Sequence, residues 1–548
     1  MVENNTEWLP HLSSEIVSDA HGNLLDAYAV SLEGWRRGLK LRWHVKDSEK
    51  FSDMYTWFVD RPGQLFSLSS KDKTHYFFRT RGDKVSNEAV EIGKDKERTK
   101  QALMKAGVPV PEGKEFGEDQ SDDVIRNYVS SIGFPVVMKP TDGSFGRGIV
   151  TNIQSDEDLD YALIYVRSEL KYKDVIVEQY IPGKEYRIYV VDNQVVGAIN
   201  RIPANVVGDG VSSIETLIIN KNEERSKNPR LISCPINIDY EMNINIDKSG
   251  YTMNSIPEKD EQIYLSEKSN ISLGGDPVDV LEKLPEAIKD TAIKALQAVT
   301  DLDHGAVDLI VHSNKPVKKA GVVLELNPTA QIGALLYPMK GEPRDIPAAI
   351  IDYYFPETKK DNRKISKVYF DLNEVLTPLA NRTAVITEVT PLEQQERYGK
   401  KYLVSGSVDR LAFHRWLRVQ ALEHSLMGHI NKLDDGDIEV VVVGPDKSYV
   451  DQFKEIIAQE NDRAEVTEIR EENWDKPVKL GFEIQGERKN LITELNQIQN
   501  EMVKANKDKK SAEREYEKML NSRIWRMTTP ARKTTGIIKK AYRSLLKK

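Results

Sequence analysis

Lys139-Pro140-Thr141-Asp142-Gly143-Ser144-Phe145-Gly146-Arg147-Gly148 follows the apolar run Phe134-Pro135-Val136-Val137-Met138, and far downstream stand Asp308 and Glu325-Leu326-Asn327. Phosphates need positive charge and close backbone approach, and glycine permits both the approach and unusual dihedral angles. Gly143, Gly146 and Gly148 supply the backbone, while Lys139 and Arg147 supply charge. The downstream trio offers oxygen ligands, and Glu325 and Asn327, two apart on a strand, point to the same face. Mg²⁺ takes hard oxygen ligands and bridges carboxylates to phosphates. The combination points to a nucleotide and Mg²⁺ site, and to an enzyme rather than a binding module.

Composition sets the frame. A chain of 548 residues exceeds what one hydrophobic core supports, so two to four domains are expected. Hydrophobic residues make up 39% and charged residues 30%, and no apolar run approaches the roughly 20 residues of a spanning helix. Met1 to Pro10 is acidic and polar and does not read as a secretory signal. Cys234 is the only cysteine, which excludes an internal disulfide framework and a Cys-based zinc cluster. A reducing cytoplasm is the expected setting. Net charge is −8, yet Arg523 to Lys548 holds nine Lys or Arg and no Asp or Glu, leaving −17 on the remainder.

Periodicity marks the elements. Leu25, Ala29, Leu32, Trp35 and Leu39 step at three and four residues and predict a helix, and Gln64–Leu68 and Tyr76–Arg79 read as strands. Lys94 to Ala106 is helical and is stopped by Gly107-Val108-Pro109. Strands are expected at Val136–Lys139, Val175–Gln179, Tyr186–Val191, Val195–Asn200, Ala306–Val311 and Val322–Leu326, with a helix near Asp156–Leu170. From Leu491 the positions Leu491, Leu495, Ile498, Met502, Ala505, Lys509, Ala512, Tyr516 and Met519 alternate by four and three, a heptad seam. His304, His414, His424 and His429 form no metal-binding spacing.

Around the glycine loop lie Asp95-Lys96-Glu97-Arg98-Thr99-Lys100, Glu178-Gln179-Tyr180-Ile181-Pro182-Gly183-Lys184-Glu185-Tyr186-Arg187, and Asn200-Arg201-Ile202-Pro203-Ala204-Asn205 running on to Gly210. In these motifs and their order the sequence resembles the ATP-grasp superfamily, within it ligases of the cyanophycin synthetase and bifunctional glutathione synthetase type, over about Lys94 to Pro356. The resemblance implies that Lys96 and Lys139 hold nucleotide phosphates, with Ser144, Gly146 and Arg147 in the loop above them. It further implies that Glu178 and the Ile181 backbone meet adenine, that Glu185 takes the ribose hydroxyls, and that Asp308, Glu325 and Asn327 bind Mg²⁺ (or Mn²⁺). Arg201, Asn270, Ser272, Gly274, Gly275 and Arg344 lie in segments resembling those around the acceptor and γ-phosphate; Arg201 and Arg344 are the implied catalytic residues and Asn270 an implied nucleotide contact. Two departures stand out: Ser266 replaces a frequent arginine, and Asn327-Pro328-Thr329-Ala330 replaces the commoner Asn-x-x-Pro-Gly.

Val404-Ser405-Gly406-Ser407-Val408-Asp409-Arg410-Leu411-Ala412-Phe413-His414-Arg415 and Gly428-His429-Ile430-Asn431-Lys432-Leu433-Asp434-Asp435-Gly436 resemble the two signature segments of acylphosphatases, which implies a ferredoxin-like βαββαβ sandwich. Acylphosphatases bind phosphate with an arginine and orient water with an asparagine. Here His414 and Lys432 occupy those positions, Arg415 and Asn431 are each one residue out of register, and Arg410 replaces a glycine. An inactive or repurposed domain is therefore expected.

The expected fold class is multidomain α/β and α+β: an N-terminal α/β lobe at 1–93, an ATP-grasp domain at 94–357, a linker with short strands at 358–398, the acylphosphatase-like domain at 399–485, a coiled-coil helix at 486–521 and a basic amphipathic tail at 522–548. Ser522-Arg523-Ile524-Trp525-Arg526-Met527-Thr528-Thr529-Pro530 resembles short segments at the ends of some bacterial surface-polysaccharide enzymes. Ile537, Ile538, Ala541, Tyr542, Leu545 and Leu546 make an apolar stripe flanked by lysines and arginines, a pattern suited to an anionic membrane. A homo-oligomer through the coiled coil and peripheral contact with the inner membrane face are expected, and no nucleic acid, because base-stacking aromatics are not interleaved with the charge. The resemblance implies a ligase for amino acid or peptide-like substrates that uses ATP and Mg²⁺ to activate a carboxylate as an acyl phosphate and join it to an amine. An acylphosphatase-type hydrolase regulated by a nucleotide-binding domain and a nucleotide-binding scaffold are the alternatives left open.

Overall fold

The structure, a computed structural model, describes residues 8–141, 148–312, 315–316, 320–359, 366–459 and 463–485, together with 501, 502, 505 and 509. It divides into two compact units, one of residues up to 396 with 475–480, the other of 397–474 with the chain from 481 onward. The expected coiled coil and basic tail fall outside the described residues, apart from Glu501, Met502, Ala505 and Lys509, which are helical. No helix among the described residues is long and apolar enough to cross a membrane.

The first unit begins with a lobe whose sheet runs Ile386–Glu388, Lys40–His44, Leu65–Ser69, Thr74–Phe78, Arg81–Gly82. Helix α1 (Asn23–Arg36) is buried from Leu25 to Arg36, so even its polar residues need partners. Residues 366–396, expected as a linker with short strands, supply several. Arg36 Nε donates to the Val368 carbonyl at 2.7 Å, Tyr28 Oη to that of Phe370 at 2.8 Å, and Trp35 Nε1 to that of Thr390 at 2.8 Å. Arg42 pairs opposite Glu388 across the sheet edge. These residues are thus an integral part of the lobe, because a helix buried on all sides cannot be satisfied by local chain alone.

A second sheet holds β1 (Gly113–Phe116), β2 (Val136–Pro140), β3 (Val150–Ile153) and β4 (Val175–Gln179), in the antiparallel order β1-β4-β2-β3. Val136, Met138, Val175 and Val177 face a core completed by Ile125, Val129, Leu159 and Leu163 from two flanking helices. Alternation along the strands turns Val137, Lys139 and Glu178 to the opposite face. Helix α2 (Lys96–Lys105) is capped by the Asp95 side chain, which accepts from the backbone of Glu97 and Arg98.

The third sheet is formed by β5 (Gly183–Val191), β6 (Gln194–Ile202), β7 (Asp276–Asp279), β8 (His304–His312) and β9 (Gly321–Asn327), in the order β7-β6-β5-β8-β9 with antiparallel neighbours. Ile188, Val190, Ala198, Val307, Leu309, Val323 and Leu326 pack with the helix Glu286–Gln297 in one buried cluster. The other face carries the charged residues considered below. Between β6 and β7, helix α3 (Ile214–Ser226) belongs to a smaller cluster with Ala204, Ile236 and Leu265.

The second unit contains β10 (Tyr398–Ser407), α4 (Leu411–Glu423), β11 (Met427–Lys432), β12 (Ile438–Gly444), α5 (Lys447–Ala458), β13 (Glu465–Asn473) and β14 (Phe482–Gln485). Its sheet order is β13-β10-β12-β11-β14, the βαββαβ arrangement of a ferredoxin-like sandwich with one added parallel strand. Tyr402, Val404, Phe413, Leu417, Val440, Val442, Val450 and Phe453 fill its core. The stretch 475–480 belongs instead to the first unit, where Val478 and Lys479 pair with Val368 and Tyr369.

Asp26 of α1 accepts from the backbone N–H groups of Ile332 and Gly333 at 3.0 and 3.2 Å, fastening the lobe to the segment that follows β9. Burial raises its carboxyl from the usual 3.8 to about 6, against the opposing effect of those bonds and of the Arg230 and Arg79 charges. A carboxyl raised in the folded state favours folding while protonated, so the ionisation penalty grows as pH climbs from about 4 to 6 and is complete above that. Asp26→Asn retains an acceptor and cannot ionise. Relative to the parent chain it should gain stability through this window, approaching roughly 3 kcal/mol, as read by urea unfolding at several pH values; a difference constant between pH 4 and 7 would contradict this.

Candidate active site

Strand register assembles the charged face of the third sheet. Arg187 of β5 lies opposite Asp308 of β8, and Asp308 opposite Glu325 of β9, while Glu185 lies opposite Ile310 and Asn327 opposite Ala306. Directly opposed residues share a face, so Glu185, Arg187, Asp308, Glu325 and Asn327 converge. The β8–β9 register shifts between Asp308 and Leu309, a bulge of the kind that re-aims side chains beside sites.

Asp308 is fully buried and is the centre of this face. Arg187 grips it with a two-point fork, Nε to Oδ1 and Nη2 to Oδ2, both 2.8 Å. Arg201 of β6 donates to Oδ2 at 3.0 Å and also pairs with Glu185. Asn327 Nδ2 donates to Glu325 Oε1 at 3.1 Å. Burial works to raise the Asp308 carboxyl, but the Arg187 and Arg201 charges overcome it and hold the group well below the usual carboxylate range. Glu325 moves the other way, pushed up by burial and by the negative charge of Asp308. Glu185 is also raised, by burial, with Arg201 opposing.

The second sheet presents a lysine group. Lys139 pairs with Glu178, Lys96 Nζ donates to the Thr141 carbonyl at 2.7 Å, and Lys100 Nζ donates to that of Gly113 at 2.7 Å. Burial lowers the Lys100 ammonium, and Glu178 and Lys139 both act on it. Only Tyr180, Ile181 and Pro182 separate β4 from β5, so the lysine group and the carboxylate face are joined by the shortest of connections, with Ile181 buried in it.

Most of the expected site residues fall into these two groups. Ser144, Gly146 and Arg147 lie outside the described residues. Arg344 is held elsewhere on the sheet face, by a fork to Asp279 at 2.8 and 2.7 Å and by Glu282 at 2.9 Å. Asn270 caps a short turn, its Oδ1 accepting from the Ser272 backbone at 2.9 Å. Arg187 and Lys100 were not singled out from sequence. Each sits inside a quoted motif, but only pairing of the strands shows that Arg187 faces Asp308.

Among the described residues no three or more His, Cys, Asp or Glu side chains gather for a metal. What β8 and β9 offer is two carboxylates and an amide, an all-oxygen set. Such a set suits Mg²⁺, which binds few carboxylates and completes its shell with water and phosphate oxygens. Oδ2 of Asp308 accepts from both Arg187 and Arg201, whereas Oδ1 accepts from Arg187 and keeps a second lone pair with which to coordinate. The residues fit the ion.

Residues 93–214 match the model of the RimK-like ATP-grasp domain, and residues 400–484 match that of the acylphosphatase family. The cyanophycin synthetase of Trichormus variabilis is 33% identical over 296 residues, covering 53% of this chain and 32% of that protein. The glutathione biosynthesis bifunctional protein of Desulfotalea psychrophila is 31% identical over 300 residues, covering 54% and 38%. A crystal structure of a bifunctional glutathione synthetase from Pasteurella multocida aligns at 29% identity over 54% of this chain and 40% of that one, with a TM-score of 0.42. These matches take in between three and four tenths of each relative's own length. By these matches the chain is similar to ATP-grasp proteins, through residues 93–214. More particularly, the chain joins a RimK-like ATP-grasp region to an acylphosphatase-like domain. Lys96, Lys139, Glu178, Ile181, Glu185 and Arg201 fall inside the span of the ATP-grasp model, and Asp308, Glu325 and Asn327 beyond it.

Removing one partner of a buried, hydrogen-bonded charge pair leaves the other charge uncompensated and costs roughly 3–5 kcal/mol. Arg187→Met should lose stability on that scale in chemical unfolding, and Arg187→Lys, which keeps the charge without the fork, should lose less. Equal stability of Arg187→Met and the parent chain would show that the fork does not hold this face together.

Proposed function

We propose that the chain is an ATP- and Mg²⁺-dependent carboxylate–amine ligase, with Mn²⁺ able to replace Mg²⁺. The observation that carries this is the all-oxygen set Asp308, Glu325 and Asn327 on a face shared with Arg187 and Arg201, three residues of chain from the Lys139–Glu178 group. Mg²⁺ held there would neutralise phosphate charge.

In this reading Lys96 and Lys139 bind the phosphates, Glu178 and the Ile181 backbone meet adenine, and Glu185 takes the ribose. Ser144, Gly146 and Arg147 contribute to nucleotide binding, and the Asn270 turn meets the terminal phosphate. A substrate carboxylate oxygen attacks the γ-phosphorus and ADP leaves. An amine nitrogen then attacks the acyl carbon of the resulting acyl phosphate, inorganic phosphate leaves, and the amine gives up a proton. Arg201 binds the acyl group, and charge neutralisation with exclusion of water does most of the work. Arg344, anchored to Asp279 and Glu282, borders the site through β7. Amino acid or peptide-like substrates are supported by relatives that make cyanophycin and glutathione. A peptide or cell-surface polymer precursor is the acceptor we favour, on the resemblance of 522–530 to the ends of surface-polysaccharide enzymes. The cytoplasm suits ATP chemistry, and the basic stretch 523–548 would bring the enzyme to the anionic inner membrane face, with the heptad seam pairing copies of the chain.

ADP release screened against amino acids and peptides should be stimulated by the true acceptor and fall at least about a hundredfold in Glu325→Ala. A chain whose ADP release no acceptor stimulates is not a ligase.

The acylphosphatase-like domain does not, on this reading, hydrolyse acyl phosphates. His414, at the arginine position, is buried with its Nε2 3.1 Å from the Val408 carbonyl oxygen. Burial lowers its pKa, which favours the uncharged ring. Lys432, at the asparagine position, pairs with Asp409, so a carboxylate stands in the loop where acylphosphatases bind an anion. The full-length chain should leave acetyl phosphate intact beyond its spontaneous decay in buffer; turnover abolished by Lys432→Ala would show a working hydrolase.

A further inference from the structure

The Asn270–Gly275 turn owes its shape to a buried ionic knot on α3. Arg225 is 1% exposed, and its guanidinium reaches three separate segments. Nε and Nη2 donate to the Cys234 carbonyl at 3.1 and 2.7 Å; Nη1 donates to the Gly275 carbonyl at 3.1 Å and to Asp276 Oδ1 at 2.9 Å; Nη2 also reaches the Ile271 carbonyl at 3.4 Å. The second carboxylate oxygen of Asp276 accepts from Lys221 Nζ at 2.5 Å and from Asn205 Nδ2 at 2.9 Å. Lys221 in turn holds the Asn205 carbonyl at 2.7 Å, and Asn205 Nδ2 the Pro203 carbonyl at 2.8 Å.

The segments so tied are those that flank the proposed chemistry. Asp276 lies opposite Ile202, the residue after Arg201, across the β6–β7 pair. The turn itself is tight: Gly274 has φ +99°, and a Cβ on Gly275 would stand 2.8 Å from the carbonyl oxygens of both Asn270 and Ile202. The turn closes on itself through the Gly274 N–H, which donates to the Ile271 carbonyl at 3.1 Å; Arg225 supplies a donor to the Gly275 carbonyl at 3.1 Å and a second, longer contact to that of Ile271. If stability alone mattered, an apolar side chain of the same volume could serve as well as a desolvated guanidinium. A fork that reads the positions of particular carbonyls fixes geometry as well as filling space.

We propose that Arg225 is a positioning residue: with Asp276 and Lys221 it sets the Asn270–Gly275 turn against the Arg201 end of β6, and thereby sets how the turn meets the terminal phosphate of the nucleotide. This rests on the ligase reading above. Arg225 touches neither substrate nor nucleotide; it acts through the backbone of the turn.

The test uses the full chain with Mg²⁺ and two probes, ADP and the non-hydrolysable triphosphate AMPPNP, their dissociation constants measured by calorimetry. The parent chain should favour AMPPNP. Arg225→Lys, which keeps the charge but cannot span the carbonyls, should lose most of that preference, about tenfold, with ADP affinity within about twofold. Lys221→Met leaves Arg225 in place, removes one grip on Asp276, and should shift the preference in the same direction by less. It also serves if Arg225→Lys does not fold. A preference unchanged in both variants overturns the proposal. So does a parallel loss of ADP and AMPPNP binding with the melting temperature, which is what a merely structural role gives, and so does a parent chain that binds both probes equally. A parent chain that binds neither refutes the nucleotide reading itself, a result distinct from these.

Discussion

The first unit depends on the fork between Arg187 and Asp308. A carboxylate with no exposure in the middle of a five-stranded sheet would ordinarily take up a proton or distort its surroundings. Two guanidinium nitrogens at 2.8 Å on separate oxygens, with Arg201 on one of them, keep it ionised and fixed in orientation. Once Asp308 is fixed, the register of β8 with β9 places Glu325 and Asn327 beside it, and the like charge of Asp308 raises Glu325. Two carboxylates this close resist joint ionisation unless positive charge is near. Arginines supply some of it, and a divalent cation would supply the rest. The same repulsion that would destabilise an ordinary core is one that a divalent cation at this face would relieve.

Much of this face was legible in the sequence because its residues lie on strands. Glu325 and Asn327 are two apart, the strands through Val175–Gln179 and Val322–Leu326 are β-branched and apolar, and a glycine-rich stretch follows Lys139. The illegible part has a common physical cause. Arg187 looks like one more polar residue after Glu185 until β5 is paired with β8, and pairing is a long-range fact. Arg225 sits in the run Lys221-Asn222-Glu223-Glu224-Arg225-Ser226-Lys227, polar throughout, yet its side chain is wholly buried. Residues 358–398 read as a linker because of the charged run Lys359-Lys360-Asp361-Asn362-Arg363-Lys364; what the stretch 366–396 satisfies, the polar groups of Tyr28, Trp35 and Arg36, lies more than three hundred residues earlier.

The acylphosphatase-like domain shows the opposite relation between fold and site. Its core is filled by Tyr402, Val404, Phe413, Leu417, Val440, Val442, Val450 and Phe453 on the strand and helix order that the resemblance implied. Its loop, by contrast, has exchanged the groups that bind an anion for a pair that binds itself, Lys432 with Asp409, and for a histidine hydrogen-bonded to the loop's own carbonyl. Core and site respond to different constraints: packing tolerates any residue of suitable size and polarity, whereas anion recognition requires an uncompensated positive charge and free N–H groups. A family match over the whole domain therefore carries the fold and leaves the activity to be argued from two side chains.

Those two side chains bear on the first unit through chemistry alone. An acyl phosphate is a high-energy mixed anhydride, and a ligase that makes one gains nothing from a neighbouring activity that hydrolyses it. A self-paired loop removes that conflict at the level of charge: for a phosphoryl group to enter, Lys432 must leave Asp409, and the carboxylate then faces an incoming anion of the same sign. The Lys432 charge is thus already paired with Asp409, while Arg410 of the same loop donates to the Ser407 hydroxyl at 3.0 Å. On the ligase reading, the carboxylate face and the lysine group of the first unit would hold the nucleotide, and a self-paired loop in the second unit would not compete for its phosphates.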